Sequence, residues 1–209
     1  ADLKGKTMGV WFYGNEYPFL SWMSRLGLKT DGSANGVTVL RQGWGVEPLT
    51  EGQAACVSTM SYNEYWVVRD AGYSPEQLTV FKYQSEGAAT LEDGLYVHEK
   101  NLSDAAFKDK MVRFVRASMK GWKYAEANPK EAAMIILDND DAGVQTEKHQ
   151  VRMMGEIAKL TAGSNGSLDP ADYERTVKVL MSGDSDPVIT KKPSGCLLYT
   201  SPSPRDSIA

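Results

Sequence analysis

The sequence predicts an α/β fold in which helices pack on a mainly parallel sheet. Short apolar runs recur through roughly the first 80 residues, and stretches with apolar side chains at helical spacing separate them. Hydrophobic residues make up 42% of the 209 residues, which is enough for a sizeable core. Strands that alternate with helices of this length favour parallel pairing and right-handed crossovers.

Four strands are predicted in the N-terminal part, at residues 7–12, 37–41, 55–59 and 79–82. Helices are predicted between them, at residues 17–27, around 46–53 and at 63–72. In such a sheet, ligand-binding groups collect beyond the carboxyl ends of the strands. The loops that follow each strand are therefore the first place to look for a site.

After Tyr83 the pattern changes to a polar stretch, a short predicted strand in "LYVHE" and then a run of helices. These helices are predicted at residues 104–127, 130–138, 146–161 and 170–181. Pro129 and Pro170 stand where two of them begin, because proline at the first helical turn sacrifices no hydrogen bond. The C-terminal part is thus predicted to be mostly helical.

Charge and motif content narrow the function classes. Lys and Arg number 23 against 27 Asp and Glu, which gives a net charge of −4 without the basic run that tracks a phosphate backbone. This balance disfavours a nucleic-acid partner. No apolar run reaches the roughly 20 residues of a membrane span. His98 and His149 lie at no metal-ligand spacing, and no catalytic motif is found, so neither a metal nor a catalytic residue is predicted.

The C-terminal segment has an unusual origin in our interpretation. "CLLYTSPSPRD", residues 196–206, resembles the translation of a transposase-type sequencing adapter. We therefore predict that residues 196–209 are adapter-derived, the alternative being a natural flexible tail. Cys56 would then be the only genuine cysteine, and a lone cysteine inside a strand is typical of a small core residue.

Several segments carry a family resemblance. "DLKGKTMGVWFYGNEYPFLSWM", "TEGQAACVSTMSYNEYW" and "FVRASMKGWKYAEANPKEAA" resemble solute-binding proteins of ABC importers, in the branch that handles nitrate, sulfonates, thiamine-pyrimidine precursors and riboflavin. The resemblance extends over residues 2–195. It departs from the family pattern at Ala55, where the family has an aspartate.

The resemblance implies a two-lobed periplasmic-binding-protein (type II) clamshell with one lobe complete and the other partial. Residues 1–84 would form the second lobe, and residues 85–195 the hinge, near residues 84–90, and the C-terminal part of the first lobe. A signal peptide and half a lobe would precede this sequence. The implied protein is periplasmic, needs no cofactor and delivers a small-molecule ligand to an ABC permease of the inner membrane.

The first strand-to-helix joint is rich in polar and aromatic side chains. Family members that bind oxyanions are expected to have small residues there, which let the ligand reach the backbone N–H groups. This sequence instead has a carboxylate and bulky rings, which disfavour nitrate or sulfonate and suit a neutral or cationic heteroaromatic ring. The candidate ligand-binding residues at this joint are Trp11, Tyr13, Asn15, Glu16 and Tyr17.

A second joint, after the third strand, repeats the Asn-Glu-Tyr triplet of the first. Asn is a good N-cap and Glu a good first-turn residue, so helix capping alone is the alternative reading of each triplet. Trp44, after the second strand, either faces the cleft or covers a loop. The further candidate ligand-binding residues are Trp44, Ser58, Thr59, Tyr62, Asn63 and Glu64.

The predicted function is capture of a small heteroaromatic, such as a thiamine-pyrimidine precursor or a riboflavin-like compound, for an importer. Three alternatives stay open: a pyrimidine-synthase-like enzyme of the same fold, a ligand-sensing domain, and an importer component for nitrate or sulfonate. The enzyme is expected to carry a cysteine cluster in the stretch that here reads "YQSEGAATLEDGLYV", which has no cysteine.

Overall fold

The computed structural model describes residues 2–182 and 187–194, which fall into two compact units. The first unit holds the chain up to Leu91 and again from Asp169 onward, and the second holds Glu92–Leu168. The predicted adapter-derived tail, residues 196–209, lies outside the described residues. The division into lobes at residue 84 stays a prediction.

A three-stranded parallel sheet forms the centre of the first unit. Its strands are β1 (Thr7–Val10), β2 (Thr38–Arg41) and β3 (Cys56–Val57), in the order β2-β1-β3. Val10 is aligned with Arg41 and Gly9 with Val57, so all three strands leave the sheet at the same edge. Three of the four predicted strands and their parallel pairing are confirmed.

Four helices follow these strands in the first part of the chain: α1 (Glu16–Arg25), α2 (Glu47–Thr50), α3 (Glu64–Asp70) and α4 (Tyr83–Glu86). Helix α1 buries Phe19, Trp22 and Met23, whose spacing places them on one helical face. The helix ends at Arg25, and Gly27 follows two positions later with a φ of 66°. This left-handed conformation lets the Leu28 N–H donate to the carbonyl of Met23.

The fourth predicted strand, residues 79–82, is wrong. This segment lies in no strand, and Val80 is 53% exposed. The ring of Phe81 instead packs on Trp22 of α1, with 5.0 Å between ring centroids. The short strand predicted at residues 95–99 is also wrong, because Tyr96, 85% exposed, and its neighbours are not buried against any sheet.

The second unit contains α5 (Ala105–Ala127), α6 (Pro129–Asp138) and α7 (Glu147–Thr161), all close to their predicted bounds. Asp104 and Thr146 cap two of these helices by accepting backbone N–H groups. Helix α5 fully buries none of its side chains in the described part of the chain. Trp122 and Tyr124 of α5 are nearly half exposed.

The last helix, α8 (Pro170–Met181), belongs to the first unit and packs against α1, where the hydroxyl groups of Ser21 and Ser182 are 2.9 Å apart. One face of β1 completes this core, and Cys56 packs at its border, as predicted for a structural cysteine. The buried core residues are Met8, Val10, Phe19, Trp22, Met23, Leu28, Val37 and Ala88.

The chain segment that precedes the second unit is tied to the first. Ala88 and Ala89 are buried, and side chains of α1 and α8 bind the backbone around them. The hydrogen bonds are Arg25 Nη1 to Gly87 O, Arg175 Nε to Ala89 O, and Leu91 N to Thr176 Oγ1. A hinge motion at residues 84–90, the predicted position, would therefore have to break packed contacts.

Candidate functional site

Three loops leave the carboxyl edge of the sheet side by side. We call them the β1 loop (residues 11–15), the β2 loop (residues 42–46) and the β3 loop (residues 58–63). Because β1 lies between β2 and β3, the β1 loop is flanked by the other two. This arrangement places all of the predicted site residues on the three loops or on the helices that follow them.

The β1 loop turns through two residues with positive φ, Tyr13 at 64° and Gly14 at 107°. Tyrosine rarely adopts this left-handed conformation, so the turn is strained at a site where glycine would be relaxed. The Glu16 carboxylate closes the turn, since its Oε2 accepts the Gly14 N–H at 2.7 Å. Asn15 does not cap α1; its amide donates to the Phe12 carbonyl at 3.1 Å.

A glutamate also closes the β3 loop, and here both of its carboxylate oxygens accept hydrogen bonds. Oε2 of Glu64 accepts the Met60 N–H at 2.9 Å, and Oε1 accepts the side-chain amide of Asn63 at 2.8 Å. Asn63 makes no side-chain capping bond to α3. In both triplets, the glutamate rather than the asparagine accepts the backbone N–H.

Gln42 joins the loops across the central strand, a role that the sequence analysis missed. Its amide is 6% exposed; Oε1 accepts the Ser58 N–H at 2.9 Å, and Nε2 donates to the carbonyls of Ser58 and Gly45. A Cβ on Gly9 would lie 3.1 Å from Gln42 Oε1. Glycine in the middle of β1 therefore makes room for this amide.

The β2 loop presents Trp44 on a backbone that is held on both sides. Trp11 Nε1 donates to the Gly43 carbonyl at 2.9 Å, and Gln42 Nε2 donates to the Gly45 carbonyl at 3.1 Å. Trp44 itself is 94% exposed. The indole covers no loop in this structure, so the alternative that Trp44 only shields the chain is wrong.

Arg41, the last residue of β2, lies against the β1 loop and was also missed from the sequence. Its Cζ is 4.6 Å from the ring centroid of Tyr13 and 5.4 Å from that of Phe12, within cation–π distance of both. Tyr13 as a whole is 89% exposed. A positive charge and two exposed aromatic rings, those of Tyr13 and Trp44, thus lie along one edge of the sheet.

A family model described as NMT1/THI5 like matches residues 1–132, which include the whole sheet and its three loops. The chain belongs to the NMT1/THI5-like family. This family consists mostly of substrate-binding proteins, and some of its members are pyrimidine synthases. No curated protein sequence matches the chain.

Membership of the NMT1/THI5-like family supports a solute-binding role in general terms, and with it a small-molecule ligand. It also supports the coarser part of the fold prediction, a mixed α/β binding-protein domain with a small parallel sheet. No helix in the described part of the chain has the length and apolar character of a membrane span.

The structure links some of the predicted site residues of this NMT1/THI5-like chain and leaves others apart. Trp11, Trp44 and Ser58 are connected through Gly43 and Gln42. Tyr13 is joined to β2 through Arg41. Asn15, Glu16, Asn63 and Glu64 make the contacts within their own loops that are described above. Tyr17, Thr59 and Tyr62 are half-buried on or beside the loops.

Other ionisable groups give no second site. Burial raises the pKa of the Cys56 thiol, which keeps it protonated and unreactive. Within residues 2–182 and 187–194, no group of three or more His, Cys, Asp or Glu side chains could hold a metal ion. Surface hollows of about 500 and 390 Å³ lie beside α6 and α8, and no predicted site residue lines them.

Proposed function

We propose that this chain is the substrate-binding component of an ABC importer and that it captures a flat heteroaromatic solute at the carboxyl edge of its sheet. The solute would be a thiamine-pyrimidine precursor or a riboflavin-like compound. The observation that carries the proposal is Trp44, whose indole is 94% exposed on a loop pinned through the carbonyls of Gly43 and Gly45. A flat ligand that stacks on this exposed ring would remove apolar surface of both partners from water.

The chemistry of the edge fits a planar ring with amino or ring-nitrogen groups. Trp44 and Tyr13 offer ring faces for stacking. Glu16 uses Oε2 for the Gly14 N–H, and its Oε1 has no hydrogen-bond partner among the described residues. That oxygen can accept a hydrogen bond from an amino group of the ligand. The hydrogen bond would fix the orientation of a ring that stacks on Trp44 or Tyr13.

In this proposal the protein works in the periplasm and passes its ligand to a permease of the inner membrane. Most members of the family are solute-binding proteins that work outside the cytoplasm, which is consistent with that location. Binding, rather than chemical conversion, is the proposed activity. The two are separated by analysing the bound compound with mass spectrometry after release, because a binding protein returns its ligand unchanged whereas a synthase does not.

Calorimetric titration tests the ligand class, with riboflavin, an aminopyrimidine alcohol, nitrate and taurine as probes. We expect one of the two ring compounds to bind and the two anions not to bind. Trp44→Ala should weaken ring binding about tenfold, since an aromatic contact contributes about 0.5–1.5 kcal/mol beyond its buried area. Tyr13→Ala should weaken it by about threefold or more for the same reason.

Tyr96→Ala is the matched control for Tyr13→Ala. Tyr96 is 85% exposed and lies on none of the three loops, so its removal deletes a similarly exposed ring that is not a candidate site residue. It should leave the ring affinity unchanged. Tight binding of nitrate or taurine that Trp44→Ala does not disturb would contradict the proposed function.

A further inference from the structure

The guanidinium of Arg41 lies over two aromatic rings at the carboxyl edge of the sheet. Its Cζ lies 4.6 Å from the centroid of Tyr13 and 5.4 Å from that of Phe12. Phe12 is half-buried and packs on the core of the first unit, so at least one of these rings cannot move freely. Stacking on ring faces leaves the in-plane N–H donors of an arginine directed outward.

Those donors have no acceptor in the part of the chain that the structure describes. The chain carries 27 Asp and Glu side chains, yet within residues 2–182 and 187–194 none forms an ion pair with Arg41, and the guanidinium makes no hydrogen bond. Two helix arginines show the alternative: Arg113 pairs with Asp109 at 2.9 Å, and Arg175 pairs with Asp172. Arg41 differs from these two in lying over aromatic rings instead of beside a carboxylate.

The position of Arg41 links this charge to the proposed ligand site. It is the last residue of β2 and is aligned with Val10, the last residue of β1, so it stands at the carboxyl edge between the β1 and β2 loops. Trp44 follows three positions later on the pinned β2 loop. A ring that stacks on Tyr13 therefore has a guanidinium beside it.

The carboxylates of Glu16 and Glu64 form no ion pair with that guanidinium. Glu16 closes the β1 loop by accepting the Gly14 N–H, and Glu64 uses both oxygens within the β3 loop. The sequence argument that a carboxylate here excludes anions is therefore incomplete, because it left out Arg41.

We infer that Arg41 binds an oxyanion substituent of the ligand, a carboxylate or a phosphate ester carried by the heteroaromatic ring. The guanidinium offers two parallel N–H donors that match either group in a bidentate arrangement. This inference rests on the proposed function, since it assigns the charge of the solute that the same edge would bind. The ligand would thus be a ring with an anionic side group rather than a free inorganic anion or a neutral ring.

A series of three compounds on one ring tests the inference with the full chain. The probes are 4-amino-2-methylpyrimidine carrying hydroxymethyl, carboxylate or phosphooxymethyl at position 5, each titrated by calorimetry. The wild-type chain should bind at least one of the two anionic probes about tenfold to a hundredfold more tightly than the alcohol. Whichever anion is preferred identifies the substituent.

The variant Arg41→Gln should abolish that preference and leave the affinity for the alcohol within about threefold, because the loss concerns a charge-assisted contact to the anion. Arg41→Lys keeps a charge but loses the planar fork, so part of the preference should remain. Arg113→Gln is the control, since it removes the same charge from an exposed position on α5 and should change none of the three affinities. Thermal unfolding of each variant verifies that the fold is intact.

Two results would overturn the assignment of Arg41 while leaving the proposed function in place. One is binding of the alcohol as tight as that of both anions in the wild-type chain. The other is an equal weakening of all three probes by Arg41→Gln, which would show a structural role only. If neither these three rings nor riboflavin binds, the proposed function fails, and the inference about Arg41 fails with it.

Discussion

The β1 and β3 loops carry the same Asn-Glu-Tyr triplet at neighbouring positions of one sheet edge, yet they use it differently. One oxygen of Glu64 accepts the Met60 N–H, and the other accepts the side-chain amide of Asn63. In Glu16 only Oε2 accepts a hydrogen bond, from the Gly14 N–H. The β1 loop turns through Tyr13 at a φ of 64°, whereas no residue of the β3 loop, residues 58–63, has a positive φ.

This difference separates a structural loop from a candidate binding loop. A carboxylate whose two oxygens are both engaged inside its own loop has little left for a ligand, although it keeps the loop in shape. A carboxylate with one available oxygen, next to a strained and exposed aromatic residue, is typical of a functional site. Identical tripeptides therefore do not imply identical roles, and we assign ligand contact to the β1 loop first.

The largest expected effect comes from Gln42→Ala, which would disturb both neighbours of the β1 loop at once. The substitution removes the buried amide of Gln42 and leaves the part-buried Ser58 N–H and the carbonyls of Ser58 and Gly45 without these partners. We expect a loss of about 2–3 kcal/mol in the free energy of unfolding, measured by urea denaturation, since an unsatisfied buried group costs about 1–3 kcal/mol and a small cavity is added.

Gly9→Ala provides the companion measurement, because its Cβ would lie 3.1 Å from Gln42 Oε1 and 3.0 Å from Val57 Cγ1. Both substitutions damage the same contact. Their effects on stability should therefore sum to more than the double variant loses. Strict additivity would show that Gly9 and Gln42 act independently and would contradict the bridging role of Gln42.

A comparison of Glu64→Gln with Glu16→Gln tests the difference between the loops directly. Glutamine has a single acceptor oxygen, so in the β3 loop its NH₂ group would face a second donor, either Met60 N–H or the Asn63 amide. In the β1 loop one acceptor is sufficient for Gly14 N–H. We expect Glu64→Gln to lower the free energy of unfolding by about 1–2 kcal/mol and Glu16→Gln by less than about 0.5 kcal/mol.

Ligand affinity should show the opposite order. Glu16→Gln should weaken the bound ring compound about tenfold, because a charge-assisted hydrogen bond from a ligand amino group is lost. Glu64→Gln should change the affinity by less than about threefold once the variant is shown to be folded, since its carboxylate contacts only its own loop. Equal effects of the two substitutions on affinity would remove the distinction between the loops.

Local signals in the sequence predicted the helices and the parallel strands well. Pro129 and Pro170 stand at the first residues of α6 and α8, where the sequence analysis placed them within one residue. The failed strand at residues 79–82 has a β-rich composition, but pairing depends on a distant partner, and Phe81 finds an aromatic contact with Trp22 instead. Strand composition alone cannot reveal that choice.

The sequence predicted where the candidate site lies, but it did not predict which contacts join its loops. The joints after β1 and β3 were identified because loops at the carboxyl ends of parallel strands collect functional groups. Gln42 and Arg41 were missed because their contacts lie far away in sequence. The amide of Gln42 binds Ser58, 16 positions away, and the guanidinium of Arg41 lies over a ring of another loop. Neither contact can be recognised from the neighbouring residues in the sequence. Their roles depend on the order of strands.

The smallest expected effect concerns the strain at Tyr13, and it requires two substitutions that remove the same ring. Tyr13→Ala and Tyr13→Gly both lose the cation–π contact with Arg41, but only glycine adopts a φ of 64° without steric cost. The glycine variant should be more stable than the alanine variant by about 1 kcal/mol, less the backbone entropy that glycine loses on folding. Both variants should weaken ring binding to the same extent. If alanine proves as stable as glycine, the β1 loop is not strained at this residue, and the contrast with the β3 loop then rests on the glutamates alone.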